Sequence, residues 1–522
     1  MSAREVQQAR WNEPIIMNLG SPGERGVIVP PVGDEIENLV GDGVSTLPAE
    51  MRREKPPTLP ELSQHQVLRH FLRLSQETYG ADVNTDFLGT CTMKPTPKVN
   101  EQLIRAPEMA DLHPLQDEDT VQGILEIMFR FELMLREISG MSRFTFQPGG
   151  GAHGIYANAL MMRAYHSSRG EGSERDEVIT TIFSHPADAA CPATAGYKIV
   201  TLYAGEHGYP DLDALKAAVS ERTAGLMITN PEDTGIFNPE IDRFTDVVHE
   251  AGGLCAYDQA NANGILGIAR ARDAGFDLCQ FNLHKTFSSA HCAMGMSCAA
   301  CGVSEELERF LPVPIVQQDG GRFFLDYDRP DSIGKLRGFY GVPATVVRAY
   351  AWVMALGAEG IQRVAEGAVL NNNYLAKLLE AVDGLEVAYA RGNLGRRLEQ
   401  TRYTWEKLAE ETGVGTLDIS RRTADFGVTA YVTSHHPWIV PEPMTLEPTE
   451  CYSKSDLEDY ATMLVEIARE AREAPDVVRT APHRSAMHRL DDRPLDDPAQ
   501  WATTWRSYLR KTNGDRSNGS SG

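Results

Sequence analysis

The chain predicts an α/β protein with a large domain on a mostly parallel sheet and a smaller α+β domain after it. Three observations carry this. Strand-like and helix-like runs alternate from residue 143 to 283, the signature of βαβ units. A glycine run over 147–154 separates a strand-like stretch from a helix-like one. Two later apolar runs lead to single polar residues, Asp258 and Lys285, where open α/β sheets place their ligands, beyond the carboxyl ends of strands.

Residues 1–60 are rich in Pro, Gly and acidic side chains and predict an extended arm. Leu62, Val67, Leu68, Phe71, Leu72 and Leu74 recur at nearly helical spacing over 61–79. The stretch 87–97 is small, polar and broken by Pro95 and Pro97; such a loop either lines a site or crosses the surface. Ile124, Leu125, Met128, Phe131, Leu135 and Ile138 predict a long helix over 119–139. A strand over 143–146, the glycine turn and a helix over 155–165 come next. Strands at 178–183 and 224–229 then alternate with helices at 211–219 and 242–251, before the runs 254–261 and 276–281. Residues 345–380 predict a helix linking the two domains. The smaller one passes through 427–432 and closes with a helix over 455–473. Residues 513–522 are rich in Gly, Ser and Asn and predict disorder. The boundaries are 1–115 for the arm and helix, 116–342 for the large domain, 343–490 for the small domain and 491–522 for the tail.

Length of 522 residues, 42% apolar and 24% charged content describe a soluble globular protein. The net charge of −23 opposes nucleic acid and anionic membrane surfaces as partners. No apolar run spans a bilayer and residues 1–6 carry no signal-type apolar core, so a cytoplasmic location is expected. Eight cysteines spread from Cys91 to Cys451 suit free thiols in a reducing compartment. Cys298 and Cys301, with Cys292 nearby, form half a metal signature at most. No metal is expected, and these thiols are read as small core residues.

Taken singly, a strand-end lysine is usually solvated and a strand-end aspartate usually caps a turn. Their order after a glycine turn is more specific. Glycines let backbone amides approach a phosphate, and the following helix adds its dipole. A lysine amine can form a Schiff base, and a carboxylate can hold a pyridine nitrogen protonated. Together they point to pyridoxal 5'-phosphate, with Lys285 as the Schiff-base lysine and Asp258 as the ring-nitrogen partner.

From about Leu62 to Asp491 the chain resembles the pyridoxal-phosphate subunit (subunit 2) of the aminomethyl-transferring glycine dehydrogenase family, the P-protein of the glycine cleavage system. The likeness is carried by Leu88-Gly89-Thr90-Cys91-Thr92-Met93-Lys94, Gly151-Ala152-His153-Gly154, Asn282-Leu283-His284-Lys285-Thr286-Phe287-Ser288 and Leu325-Asp326-Tyr327-Asp328-Arg329-Pro330. Glu447-Pro448-Thr449-Glu450 and Ala481-Pro482-His483 add to it. The resemblance implies fold type I, the aspartate aminotransferase-like arrangement, in a dimer or in a heterotetramer with a subunit-1-like protein.

By position it implies that Lys285, His185 and His284 are catalytic, His185 stacking on the ring and His284 lying near the phosphate; an ordinary core histidine would read the same at both positions. Gly150, Gly151, Ala152, Asp258, Ala260 and Thr286 join them as cofactor contacts, with Ser288 as a further donor. Thr90, Cys91, Thr92 and Asn261 are expected to face the substrate. The departures lie around the substrate. Residues 290–298 replace a Pro-His-polyglycine stretch, and 184–189 read Ser-His-Pro-Ala-Asp-Ala where the family has Ala-His-Gly-Thr-Asn-Pro. Ile155 replaces a glutamate, Gln259 a glycine, and Glu399-Gln400 stand near an expected His-Glu pair.

The expected reaction is glycine-decarboxylase-like, on glycine or another small amino acid that displaces Lys285 from its Schiff base. Use of a lipoyl H-protein stays open. The alternatives are Cα–H or carbon–carbon bond chemistry, such as transamination or aldol-type reaction, and a non-catalytic partner subunit.

Overall fold

The computed structural model describes residues 6–518 except 56, 58, 81, 90, 91, 93, 290–295, 430–433, 487, 492–496, 498–500 and 503. The chain forms two compact units. One is Gly80–Arg479, and the other combines Val6–Tyr79 with Thr480–Gly522.

The first unit is built on a seven-stranded sheet: β1 (Arg143–Thr145), β2 (Glu177–Thr181), β3 (Lys198–Leu202), β4 (Thr223–Thr229), β5 (Leu254–Gln259), β6 (Leu278–Asn282) and β7 (Ala299–Val303). Their order is β1-β7-β6-β5-β4-β2-β3. Every pairing among β2 to β6 is parallel, and β7 alone runs antiparallel to its neighbours β1 and β6.

The strands lack a polar face because both faces are covered. Successive side chains enter opposite cores. Ile179, Leu226, Ile228, Cys255, Tyr257 and Phe281 join the core shared with helices α1 (Gln122–Ser139) and α5 (Ile241–Glu250). Val178, Ala224, Met227, Leu254, Ala256 and Leu278 join the core on helix α2 (Gly151–Ser168). Helices α3 (Ala187–Thr194) and α4 (Leu212–Ala218) complete the crossovers. Strands β8 (Ile315–Asp319) and β9 (Arg322–Asp326) form a separate hairpin.

The long apolar segment after residue 340 folds as α6 (Pro343–Leu379), which is two helices meeting at a kink rather than one. Gly357, at φ 63° and ψ −178°, breaks it in a conformation that only glycine adopts cheaply. Beyond it lies a three-stranded antiparallel sheet of β10 (Glu386–Val387), β11 (Thr401–Thr404) and β12 (Pro443–Leu446), covered by α7 (Lys454–Glu473). Its core contains Leu375, Leu379, Tyr403, Trp405, Met444, Leu446, Leu457 and Leu464.

Residues 85–89 belong to this second core, although the sequence groups them with the N-terminal arm. Phe87 is buried in it, Leu88 bridges Leu446, and Gly89 N–H donates to Thr445 O (3.1 Å). No local periodicity signals such a long-range pairing. Of the stretch 427–432, Val428 forms an isolated bridge to Thr85, and 430–432 lie outside the described residues.

In the other unit, Ser63 and Gln66 form a capping box on the helix Gln64–Gln76. Glu13 takes His70 Nδ1 at 2.8 Å and Arg73 Nη1 at 3.0 Å. Gln8 N–H donates to Arg484 O (3.0 Å), joining the two ends of the sequence within this unit. The arm carries short helical turns such as Asp34–Val40. The stretch 513–522 continues the helix Trp505–Asn518 and then leaves the described residues.

Candidate active site

Lys285 stands three residues past β6, in a tight turn. Its N–H donates to Asn282 O (3.0 Å) and its carbonyl accepts from Ser288 N–H (3.0 Å). Ser288 closes the turn at φ 51°, a left-handed conformation that is uncommon for a non-glycine residue and recurs at functional sites.

Asp258 is the fifth residue of neighbouring β5 and pairs in register with Gln280 of β6. Its Oδ1 accepts from Ala260 N–H (2.8 Å) and Gln280 Nε2 (2.5 Å). Its Oδ2 is buried and receives no conventional donor. A carboxylate oxygen in that state is what a pyridinium N–H would satisfy.

His185 follows β2 and lines the same pocket as Lys285, Asp258, Ala260 and Asn261. Burial, then the charge of Lys285, push its imidazole down to about 4, so it is neutral at neutral pH. An uncharged ring can lie against another ring without a charge to solvate.

The glycine turn is crowded. A Cβ on Gly149 would lie 3.1 Å from Arg337 Nη1, on Gly150 3.0 Å from Ser297 Oγ, and on Gly151 2.7 Å from Asn282 Nδ2. Gly151 and Ala152 open α2, an 18-residue helix whose first amides point into this corner. Open amides, the helix dipole and the Arg337 guanidinium beside them suit a phosphate dianion.

The remaining expected residues are placed as follows. Thr286 Oγ1 accepts from Ala262 N–H (2.9 Å) and its carbonyl accepts from Lys94 Nζ (2.8 Å). His284 Nδ1 lies 3.1 Å from Cys298 O and 3.2 Å from Cys298 N, fastening the lysine turn to the start of β7. Thr92 Oγ1 lies 2.9 Å from both carboxyl oxygens of Glu447, and Asn261 Nδ2 donates to Glu447 Oε1 (2.8 Å). Thr90, Cys91 and the altered loop 290–295 lie outside the described residues. Cys298 and Cys301 are fully buried, with burial pushing the Cys298 thiol up to about 12.

In the pocket wall and just behind it stand groups that sequence reasoning gave no role. Glu447, pushed up to about 7 by burial against the pull of Thr92 and Lys285, sits in a quoted motif that could have flagged it. Glu399 lines the pocket and is pushed up to about 8 by burial and then by Glu447. Asp233, also lining it, forms a buried ion pair with Arg402 of β11. Nothing in the run Thr401-Arg402-Tyr403-Thr404 marks that arginine as more than a strand residue. Asp188, fully buried beside Asp258, stands out in the sequence only as part of the departure at 184–189.

Residues 150–291 match the family described as aminotransferase class-V, and residues 364–488 match glycine dehydrogenase, C-terminal domain. The chain is 43% identical to the probable glycine dehydrogenase (decarboxylating) subunit 2 of Pyrococcus abyssi, over 96% of this chain and 97% of that one. It is 42% identical to the protein of the same description from Caldanaerobacter subterraneus subsp. tengcongensis, over 92% and 96%. A crystal structure of glycine decarboxylase (P-protein) of the glycine cleavage system, in inhibitor-bound form, superposes with a TM-score of 0.71 at 20% identity. It covers 84% of this chain and all of that one, and supports the fold. The fold is that of fold-type-I pyridoxal-phosphate enzymes, and the chain belongs to the glycine dehydrogenase (decarboxylating) subunit 2 family.

Proposed function

We propose that this protein is a pyridoxal-phosphate enzyme that decarboxylates glycine, with Lys285 as the lysine that carries the cofactor. The observation that carries the reading is the convergence of Lys285, the unsatisfied Asp258 Oδ2 and the neutral His185 on one pocket.

Bound there, the cofactor would supply an electron sink for the bond broken at the substrate Cα. This chain's residues do the rest. Asp258 Oδ2 accepts the ring N–H and keeps that nitrogen protonated. The amides of Gly151 and Ala152, with Arg337, hold the phosphate. His185, uncharged, would lie against the ring and exclude water from it. Lys285 Nζ would carry the cofactor and, when free, would hold or return a proton at the substrate Cα. Glu447, titrating near neutrality and anchored by Thr92, Asn261 and Asn263, holds a proton on the substrate side. A small substrate suits a pocket walled by Phe183, Pro231 and Gln400.

The family's designation as subunit 2 supports assembly with a second, subunit-1-like polypeptide. Among the described residues no helix is long and apolar enough to cross a membrane, and we place the enzyme in the cytoplasm. The test is borohydride reduction of the cofactor-loaded protein, followed by peptide mass mapping and by carbon dioxide release from carboxyl-labelled glycine. A reduced adduct on Lys285 and label release, rising with a lipoyl carrier protein, are expected. An adduct elsewhere, or release from another amino acid but not glycine, refutes the assignment.

A further inference from the structure

Asp188 is the second residue of α3 and is 1% exposed. Its N–H donates to His185 O (2.8 Å), but neither carboxyl oxygen meets a conventional donor. What its carboxyl does face is the carboxyl of Asp258, whose Oδ2 is likewise buried without a donor. Two carboxylates in that contact cannot both be ionised in a buried site, so one proton lies between them.

The surroundings decide which group keeps it. Asp258 has two donors on Oδ1 and the Lys285 ammonium close by. Asp188 has no donor and no cation on its oxygens. The short α3 dipole favours its ionised form, but too weakly to offset burying a second charge beside the first. The other titratable groups nearby do not compensate. Cys191, one turn along α3, donates to Ala152 O (3.2 Å) and is pushed up to about 11, staying a neutral thiol. Tyr156 of α2 reaches Cys191 only through its backbone, and His185 is neutral. Lys198 of β3 is exposed and paired with Asp176. Burial, then Asp258, hold Asp188 well above the usual carboxylate range.

We infer that Asp188 is a positioning residue: a neutral carboxylic acid that donates its shared proton as a hydrogen bond to Asp258. Its importance to the cofactor rests on the functional reading above. A carboxyl held by such a bond is fixed in orientation, so Asp258 is positioned to face the ring-nitrogen end of the pocket.

Two variants separate this from simple packing. Asp188→Asn keeps a donor and cannot titrate, while Asp188→Leu keeps the branching at Cγ, adds some bulk and loses the donor. In the cofactor-free full-length protein, the thermal midpoint of Asp188→Asn should rise relative to wild type as pH goes from about 5 to about 8. That rise should shrink in an Asp258→Asn background. A pH-independent difference, or one indifferent to Asp258→Asn, overturns the shared proton. In the loaded protein, Asp188→Asn should hold pyridoxal phosphate within about threefold of wild type and Asp188→Leu about tenfold more weakly. Equal affinities overturn the positioning role, and Asp188→Ala substitutes if the leucine variant does not fold. A wild type that takes no pyridoxal phosphate refutes the functional reading, while the cofactor-free comparison still decides the pair.

Discussion

Removing Asp233 should cost more stability than removing the arginine it faces. Arg402 is fully buried on β11 and its ion pair with Asp233 links the small sheet to the loop after β4. The guanidinium has little else. Its Nε donates to Thr445 Oγ1 (3.3 Å), it stands 5.2 Å from the Phe183 ring centroid, and Nη1 has no partner. Arginine cannot shed its proton, so Asp233→Ala strands a buried cation, a loss of about 3–5 kcal/mol. Arg402→Met instead leaves a carboxyl that has His435 Nδ1 at 3.5 Å and can take up a proton, so its cost is about 1–3 kcal/mol. For the roughly 400 residues of Gly80–Arg479, an unfolding entropy of about 2.1 cal/mol/K per residue converts these to midpoint drops of about 4–6 °C and 1–4 °C. The double variant Asp233→Leu/Arg402→Met should recover most of the loss. Scanning calorimetry at one pH and scan rate measures all three. Equal losses for the single variants, or an Asp233→Ala drop under about 1 °C, would refute the argument that the pair is sealed from water.

Three further outcomes follow from the site. His185, held down near 4 against an ordinary 6.5, gives stability that is complete above about pH 6.5 and is lost as pH falls toward 4. His185→Gln should remove that acid limb, about 1–3 kcal/mol in cofactor-free denaturant titrations across the window. Glu399, raised from 4.5 to about 8, does the opposite: wild-type stability declines as pH rises through that window. Glu399→Gln should therefore gain on wild type from about pH 5 to pH 8 and hold level above it, read as midpoint against pH. Gly151→Ala places a methyl 2.7 Å from Asn282 Nδ2 and should weaken pyridoxal-phosphate affinity about tenfold, measured by absorbance titration, with a drop of about 1–4 °C in the cofactor-free melting midpoint.

What could be read from the sequence depended on how local the signal was. The strands β2, β4, β5 and β6 announce themselves as short apolar runs, and the turn that carries Lys285 follows one of them. The glycine turn was legible because close backbone approach leaves no room for a Cβ, as Gly149 and Gly151 show. The small-domain half of the site was not. Glu447, Glu399 and Arg402 acquire meaning only when β11 and β12 are laid against the ends of β4 and β5, which no window of ten residues reports. The break at Gly357 was hidden for another reason, since helical periodicity continues on both sides of it.

The Lys94 ammonium is wholly buried, bonded to the Thr286 carbonyl and to Glu450 Oε1 at 2.6 Å, and seated 4.5 Å from the Trp352 ring centroid. Lys94 and Thr286 are 192 residues apart in sequence, while Thr92 and Glu447 are 355 apart. The junction therefore cannot form on the ribosome until residue 450 has been made, on the order of 20 to 90 seconds after initiation at about 5–20 residues per second. Until then the strand ends bearing Asp258 and Lys285 can exist, but the wall that seals them cannot. Cofactor capture is bound to come late in the life of the new chain, and a truncated product lacking its last eighty residues or so would carry the lysine without a closed place to use it.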